Sequence, residues 1–404
     1  MHKYVKVAAG AMLLLSSFMV TDKVNAAGDG DVLIAQAHSV NTFAANAYES
    51  PEHFARFTYD SGYDFEYPDA VRGLYATGNS AGGSRFDSLL DLIDNTDLNS
   101  MVIDIKEDGG HITVDPEQEL PYEDAIQEVI KDPEAMMKRL EEEGVYPIAR
   151  IVVFKDTQLA EARPDLSFKE NGEVWKNNKK EAFVSPFQKE VWDYNVEIAK
   201  MAAEMGFQEI QFDYVRFPEG FEHRDEELEY DLGDYQDVDM NNIKKRVEAV
   251  TNFVSYARDE LSDYDVDVSV DIFGYAATIE ETPGIGQNFS RISDNVDVIS
   301  SMIYPSHWTP YFGIDNPDEE PYRLVDEYAK VENEVLDALD EAPVSRPWIQ
   351  DFSAPWLYSG PTFEYGVSEV EAQIKALNEN GIDEFLLWNS GNSYTEGVDY
   401  TPLD

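Results

Sequence analysis

The chain has 404 residues, no cysteine, and 81 acidic against 30 basic residues, for a formal charge of −51. Without cysteine there is no disulfide, no thiolate metal site and no Cys nucleophile, so stability must come from an apolar core, which a chain of this length can build. The acidic excess disfavours nucleic acid, anionic lipid and anionic polymers as long-range partners, and it fits a solvated surface adapted to salty or alkaline surroundings.

In chain order, the first segment is a basic start (Met1 to Lys6), an apolar run from Val7 to Val20, and Val24-Asn25-Ala26 before Ala27. That pattern predicts a secretory signal over residues 1–26, with a run too short to span a bilayer, and hence a secreted, extracellular or cell-wall-associated product with no membrane insertion after cleavage. Residues 27–70 are aperiodic and aromatic-rich and are expected to form an N-terminal extension packed on the larger domain C-terminal to them.

From Val71 to the C-terminus, residues 71–404, strand-like and helix-like segments alternate. The strands are expected at Val71 to Thr77, Ser100 to Lys106, Val145 to Phe154, Phe207 to Phe217, Val266 to Tyr275, Val296 to Tyr304, Pro347 to Phe352 and Ile382 to Trp388. Helical patterns lie at Arg85 to Ile93, Ala135 to Glu143, Lys189 to Met205, Ile243 to Leu261, Tyr322 to Leu339 and Val367 to Asn380, and several stop at a glycine (Gly144, Gly206, Gly381). Eight such repeats predict an α/β fold, a (β/α)8 TIM barrel, over an open doubly wound sheet. The Gly-rich Thr77 to Ser84 loop lacks a P-loop Lys and the dinucleotide pattern. Pro218 to Asn242 is a long acidic insertion after strand four; Asp231, Asp234, Asp237 and Asp239 lack EF-hand spacing, so a solvated loop is expected rather than a Ca²⁺ site. No metal and no cofactor is called for.

In a TIM barrel the functional face is the C-terminal end of the strands, and strand alternation says which side chains point inward there. Strand two directs Asp104 and Lys106 inward, strand three Arg150, strand four Gln211 and Asp213 (with Val215), and strand five Ser269 and Asp271. Strand six brings Tyr304, followed by His307 and Trp308; strand seven brings Gln350, and strand eight Trp388 and Asn389, with Trp348 read as core. Asp213 and Asp271 stand on neighbouring strands about 4.8 Å apart, which splay at the mouth. Carboxyls so placed span ~5–9 Å, the range of both glycosidase geometries. A close pair does not ionise freely, so one carboxyl is expected to supply the acid, while Lys106 and Arg150 hold the other as a carboxylate. The competing possibility is a structural ion-pair network of the same residues. Aromatic rings in the late loops (Trp308, Tyr311, Phe312, Trp356, Tyr358, Trp388, Tyr394) suit the apolar faces of sugars.

The fragments Arg72 to Thr77, Met101 to Lys106, Ile210 to Pro218, Asp271 to Tyr275, Met302 to Trp308 and Pro347 to Phe352 together resemble a bacterial family of TIM-barrel glycoside hydrolases, catalogued as a domain of unknown function and related to the α-amylase-like glycosidases. The resemblance implies Asp213 as nucleophile and Asp271 in the acid position. Two departures stand out: the amylase pattern has Arg where this chain has Gln211, and a Glu where it has Asp271. The sequence therefore predicts a secreted glycosidase acting on a polysaccharide or oligosaccharide. Asp213 would be nucleophile or general base and Asp271 general acid. Asp104, Lys106, Arg150, Gln211, Tyr304, His307, Trp308, Gln350, Trp388 and Asn389 would bind the carbohydrate. The alternatives are a non-catalytic carbohydrate-binding or envelope protein on the same scaffold, and a transglycosylase.

Overall fold

The computed structural model describes residues 58–116 and 123–403. The signal segment and the first part of the expected extension lie outside them. Eight parallel strands alternate with helices: β1 (Arg72–Ala76), β2 (Ser100–Lys106), β3 (Tyr146–Val152), β4 (Glu209–Asp213), β5 (Asp267–Phe273), β6 (Val298–Met302), β7 (Trp348–Gln350) and β8 (Phe385–Trp388). Each of the first seven is followed by a helix: α1 (Arg85–Asp94), α2 (Pro133–Glu142), α3 (Lys189–Glu204), α4 (Asn242–Glu260), α5 (Phe289–Ser293), α6 (Pro321–Leu336) and α7 (Val367–Glu379). Strand β1 pairs with both β2 and β8, and β7 joins β6 through Trp348 and Met302, so the sheet closes into a barrel. Closure removes the open doubly wound alternative. The helix α5 has only five residues, too short for its periodicity to be visible in the sequence.

Local chemistry sets the boundaries. Asp132 caps α2 by accepting from the Ala135 N–H, with Pro133 in the first turn, and Asn241 caps α4 through the Lys244 N–H. Gly206 ends α3 at φ +104°, a left-handed conformation that a side chain would strain, and the Tyr63 ring packs where a Cβ would stand. Residues 58–70 lie against the N-terminal end of the barrel: the Tyr59 N–H donates to the Asp263 carbonyl, and the Tyr67 hydroxyl donates to Glu384.

Two apolar layers separate inside from outside. The outer faces of the strands (Ile103, Ile151, Phe212, Val270, Ile272, Ile299) pack under the helices, while Val71, Tyr75, Val102, Tyr146, Ile148, Tyr304, Trp348 and Leu386 fill the lumen. The lumen floor is ionic. Arg346, fully buried, donates to both Glu209 oxygens at 2.8 and 2.6 Å and to Glu384 at 2.7 Å. No helix among the described residues is long and apolar enough to cross a membrane.

Candidate active site at the C-terminal mouth of the barrel

Arg150 is the centre of the mouth. Its guanidinium, 1 % exposed, rises from β3 and meets three carboxyls. Nη1 donates to Asp104 at 2.7 Å, Nη2 to Asp108 at 2.9 Å, and Nε and Nη2 to one oxygen of Asp213 at 3.0 and 2.5 Å. The other Asp213 oxygen accepts from the Tyr214 backbone N–H at 2.5 Å. Both oxygens of Asp213 are thus held by donors that suit a carboxylate. The guanidinium that meets Asp213 comes from Arg150 on the neighbouring strand, and position 211 on its own strand is Gln.

The Tyr214 contact depends on an unusual backbone. Tyr214 sits at φ +51°, a region a bulky non-Gly residue seldom adopts. It ends β4 at Asp213, four residues before the predicted end, and turns the N–H back onto the carboxyl. Alternation fails beyond this point: Val215, expected beside Asp213, is instead buried in the outer core.

Asp271 stands on β5, the neighbour of β4, one position beyond the Phe212–Val270 register pair. Its Oδ1 accepts from the Trp348 indole N–H at 2.7 Å. No partner for Oδ2 occurs among the described residues, and that atom is not among the sealed polar atoms. Desolvation pushes the Asp271 carboxyl well above the ordinary range, and the nearby Asp213 charge pushes the same way, against the weaker pull of Arg150 and Trp348. Asp104 is also pushed up, to about 6, by burial that outweighs Arg150 and the 2.5 Å hydrogen bond from the Tyr75 hydroxyl. The two acids on β4 and β5 are recessed but open, with the Asp213 side chain 7 % exposed.

Aromatic walls surround these groups. Trp388 stacks on Tyr75 with ring centroids 4.3 Å apart and lies 5.5 Å from the Arg150 guanidinium. Tyr304 packs near Trp388, His307 and Phe352, and the exposed Trp356 stacks on Phe352 beyond them. His307 is exposed on this rim, its Nδ1 within 3.0 Å of the Ser306 hydroxyl.

The structure thus gathers Asp104, Arg150, Asp213, Asp271, Tyr304 and Trp388 at the mouth, with His307 at the rim. Five other predicted residues are engaged elsewhere. Lys106 is turned away from the lumen by a β-bulge: Asp104 pairs with Arg150, but Lys106 pairs with Ile151, so the extra residue reverses its side. Its ammonium is sealed against Asp156 at 2.7 Å and Asn195 at 2.9 Å. Gln211 points inward as expected but one layer deeper, fully buried, with its amide 3.3 Å from the Ser300 hydroxyl. Trp308 packs outward against Tyr311, Phe312 and Tyr328. Gln350 is spent on the Ser306 N–H, Asp318 and the Phe352 carbonyl, and Asn389 on the Asp351 and Ser393 carbonyls.

Four contributors escaped the sequence reading. Tyr75 could have been found by applying alternation to β1. Trp348, read as core, is core in its ring and donates its N–H to Asp271. Asp108 and Lys155 sit in loops past the ends of β2 and β3, where alternation has no force; Lys155 donates to Asp108 at 2.9 Å and to the Tyr214 hydroxyl at 3.2 Å. Among the described residues no group of three or more His, Asp or Glu is placed to hold a metal ion.

The chain is similar to several solved structures. A hypothetical protein from Ruminiclostridium thermocellum is 32 % identical over 49 % of this chain and 96 % of its own, with a TM-score of 0.42. The PgaB (BpsB) glycoside hydrolase domain from Bordetella bronchiseptica shares the barrel fold at a TM-score of 0.54 and 14 % identity, over 79 % of this chain and 94 % of its own. An α-galactosidase from Thermus thermophilus matches 82 % of this chain and 60 % of its own at 10 % identity and a TM-score of 0.48. No curated protein matches the chain. The model of a family described as a putative glycosyl hydrolase domain matches residues 73–394. That span runs from β1 past β8, and the chain accordingly belongs to this glycosyl hydrolase family, as a glycosidase-type (β/α)8 barrel.

Proposed function

We propose that the protein is a secreted glycosidase that cleaves a polysaccharide or oligosaccharide at the barrel mouth, using Asp271 as general acid and Asp213 as nucleophile or general base. The observation that carries this reading is the asymmetry of the pair. Asp213 has both oxygens in the grip of Arg150 and the Tyr214 N–H, whereas Asp271 is desolvated, pushed upward, and has one oxygen without a partner among the described residues. Two carboxyls whose surroundings differ in this way divide the work of acid and base between them.

In the proposed step, the Asp271 proton passes to the glycosidic oxygen as the bond from that oxygen to the anomeric carbon breaks. Asp213 either bonds to the anomeric carbon or takes a proton from the water that does. Arg150 is a positioning residue, holding Asp213 and Asp104 in register. Tyr304 and Trp388 would stack on the sugar, and Asp104 would accept from a hydroxyl. His307 would meet the chain further out.

The test is release of reducing ends from a panel of neutral and acidic polysaccharides by purified protein, at several salt concentrations and alkaline as well as neutral pH. Wild type should hydrolyse at least one member. Asp213→Asn and Asp271→Asn should each lose that activity by several orders of magnitude while still binding the glycan. Wild-type turnover by either variant would remove the assignment. Binding of glycans by wild type with no hydrolysis would favour a non-catalytic carbohydrate-binding role.

A further inference from the structure

Beside the barrel mouth lies a cavity of about 230 Å³, bordered by Lys155, Trp175, Lys179, Tyr214, Arg216 and Glu219. Tyr214 and Lys155 belong to both places, so the cavity begins one residue from Asp213. Its lining carries three cations, Lys155, Lys179 and Arg216, against two acids, Glu181 and Glu219. Lys179 stands on its rim, and Lys176 and Lys180 are its near neighbours in the chain.

Arg216 is the group that needs explaining. It is 5 % exposed, and its guanidinium lies between the Tyr214 and Phe273 rings, 4.7 and 4.6 Å from their centroids. Its hydrogen bonds are few: Nη1 donates to the Phe217 carbonyl at 3.1 Å, and Nη2 reaches Glu219 at 3.3 Å. Glu219 is 71 % exposed, so it is a loose partner that an incoming anion can replace. Arg216 Nε has no hydrogen-bond partner among the described residues and is not a sealed atom, and the Arg216 side chain lines the cavity. Lys155, by contrast, is saturated by Asp108, Glu181 and the Tyr214 hydroxyl, and shapes the wall rather than offering a donor. A guanidinium clamped between two rings and presenting its edge is a pre-organised fork for a carboxylate.

We infer that this cavity is a subsite for a carboxylate-bearing sugar, such as a uronic acid unit, with Arg216 as its fork and Trp175 as a wall. The inference rests on the proposed glycosidase reading and names its substrate class. The field of the whole chain repels anions at long range; recognition here is local, by one buried cation within contact distance.

The test uses oligosaccharide pairs that differ in the carboxyl group: oligogalacturonate against its methyl ester, and oligoglucuronate against its carboxyl-reduced form. Binding to the full chain is followed by calorimetry and by tryptophan fluorescence. At least one carboxylated probe should bind roughly 10-fold or more tighter than its partner, the worth of one charge-assisted fork. Arg216→Gln should bring that ratio close to one, and Arg216→Lys should recover only part of it. Circular dichroism and melting of both variants show whether they are folded; if Arg216→Gln is not, Lys179→Gln and Glu219→Gln, on the exposed rim, should lower and raise the ratio respectively. Equal affinity within every pair, including no measurable binding of any probe, overturns the subsite. A carboxylate preference without hydrolysis would leave the subsite standing and refute the catalytic reading, and hydrolysis of neutral glycans with no preference would do the reverse.

Discussion

Replacing Arg150 by Met is the perturbation with the largest expected consequence. Met keeps an unbranched apolar stem but removes the cation that Asp104, Asp108 and Asp213 share. Asp104 and Asp213 are buried, and stripping one partner from a buried ion pair costs about 3–5 kcal/mol. For a domain of this size that lowers Tm by roughly 4–7 °C. The penalty should depend on pH, with a definite sign. Asp104 already sits at about 6 in the folded protein against 3.8 as an ordinary carboxyl, so the fold binds its proton more tightly than the unfolded chain does. A raised acid contributes stability that is present below about 4 and lost as pH climbs through its folded value. Without Arg150 that value rises further, and the loss extends to higher pH. Wild type and Arg150→Met should therefore differ less near pH 4, where Asp104 takes up a proton, than near pH 8. The two hydrogen bonds to Asp213 also vanish, and about 3 kcal/mol of lost positioning lowers kcat/KM about 100-fold. Urea denaturation from pH 4 to 8, beside kcat/KM, measures both effects. A stability difference that is the same at pH 4 and pH 8, or absent at pH 8, would refute the account of Arg150.

Other sites give sharper, smaller effects. Trp348→Phe keeps the ring and deletes the N–H to Asp271; losing a bond that favours the carboxylate lets the Asp271 value rise, so the alkaline limb of the kcat/KM profile should move to higher pH, with a rate loss of about 3- to 10-fold. An alkaline limb that stays put would show that Asp271 is not the acid. Lys106→Met leaves Asp156 buried without its cation and should cost about 3–5 kcal/mol in urea denaturation, while KM for the glycan stays within about twofold of wild type. A KM change with unchanged stability would return Lys106 to the mouth.

The barrel was legible in the sequence because its signals are periodic. Outer strand positions such as Phe212, Val270 and Ile272 alternate with Gln211, Ser269 and Asp271, and the strand-flanking glycines Gly144, Gly206 and Gly381 all adopt positive φ. The same alternation placed Asp104, Arg150, Asp213 and Asp271 on the lumen side. It failed wherever the chain left the regular strand. The bulge at Ile105 reverses Lys106, and the left-handed Tyr214 redirects Val215, and neither follows from strand alternation. Gln350 and Asn389 show a different limit. Their positions were read correctly, but loop carbonyls and N–H groups that only the folded connections bring near consume their amides. The source of the guanidinium was hidden for a related reason: a motif fixes spacing along one strand, whereas Arg150 reaches Asp213 across two.

The most direct measurement compares reducing-end release by wild type, Asp213→Asn, Asp271→Asn and the double variant on the glycan that wild type hydrolyses. If the two carboxyls act as one unit, each single substitution removes nearly all activity and the double variant is no worse than either. Losses that multiply in the double variant, or a single variant that turns over like wild type, would contradict a shared role in bond cleavage.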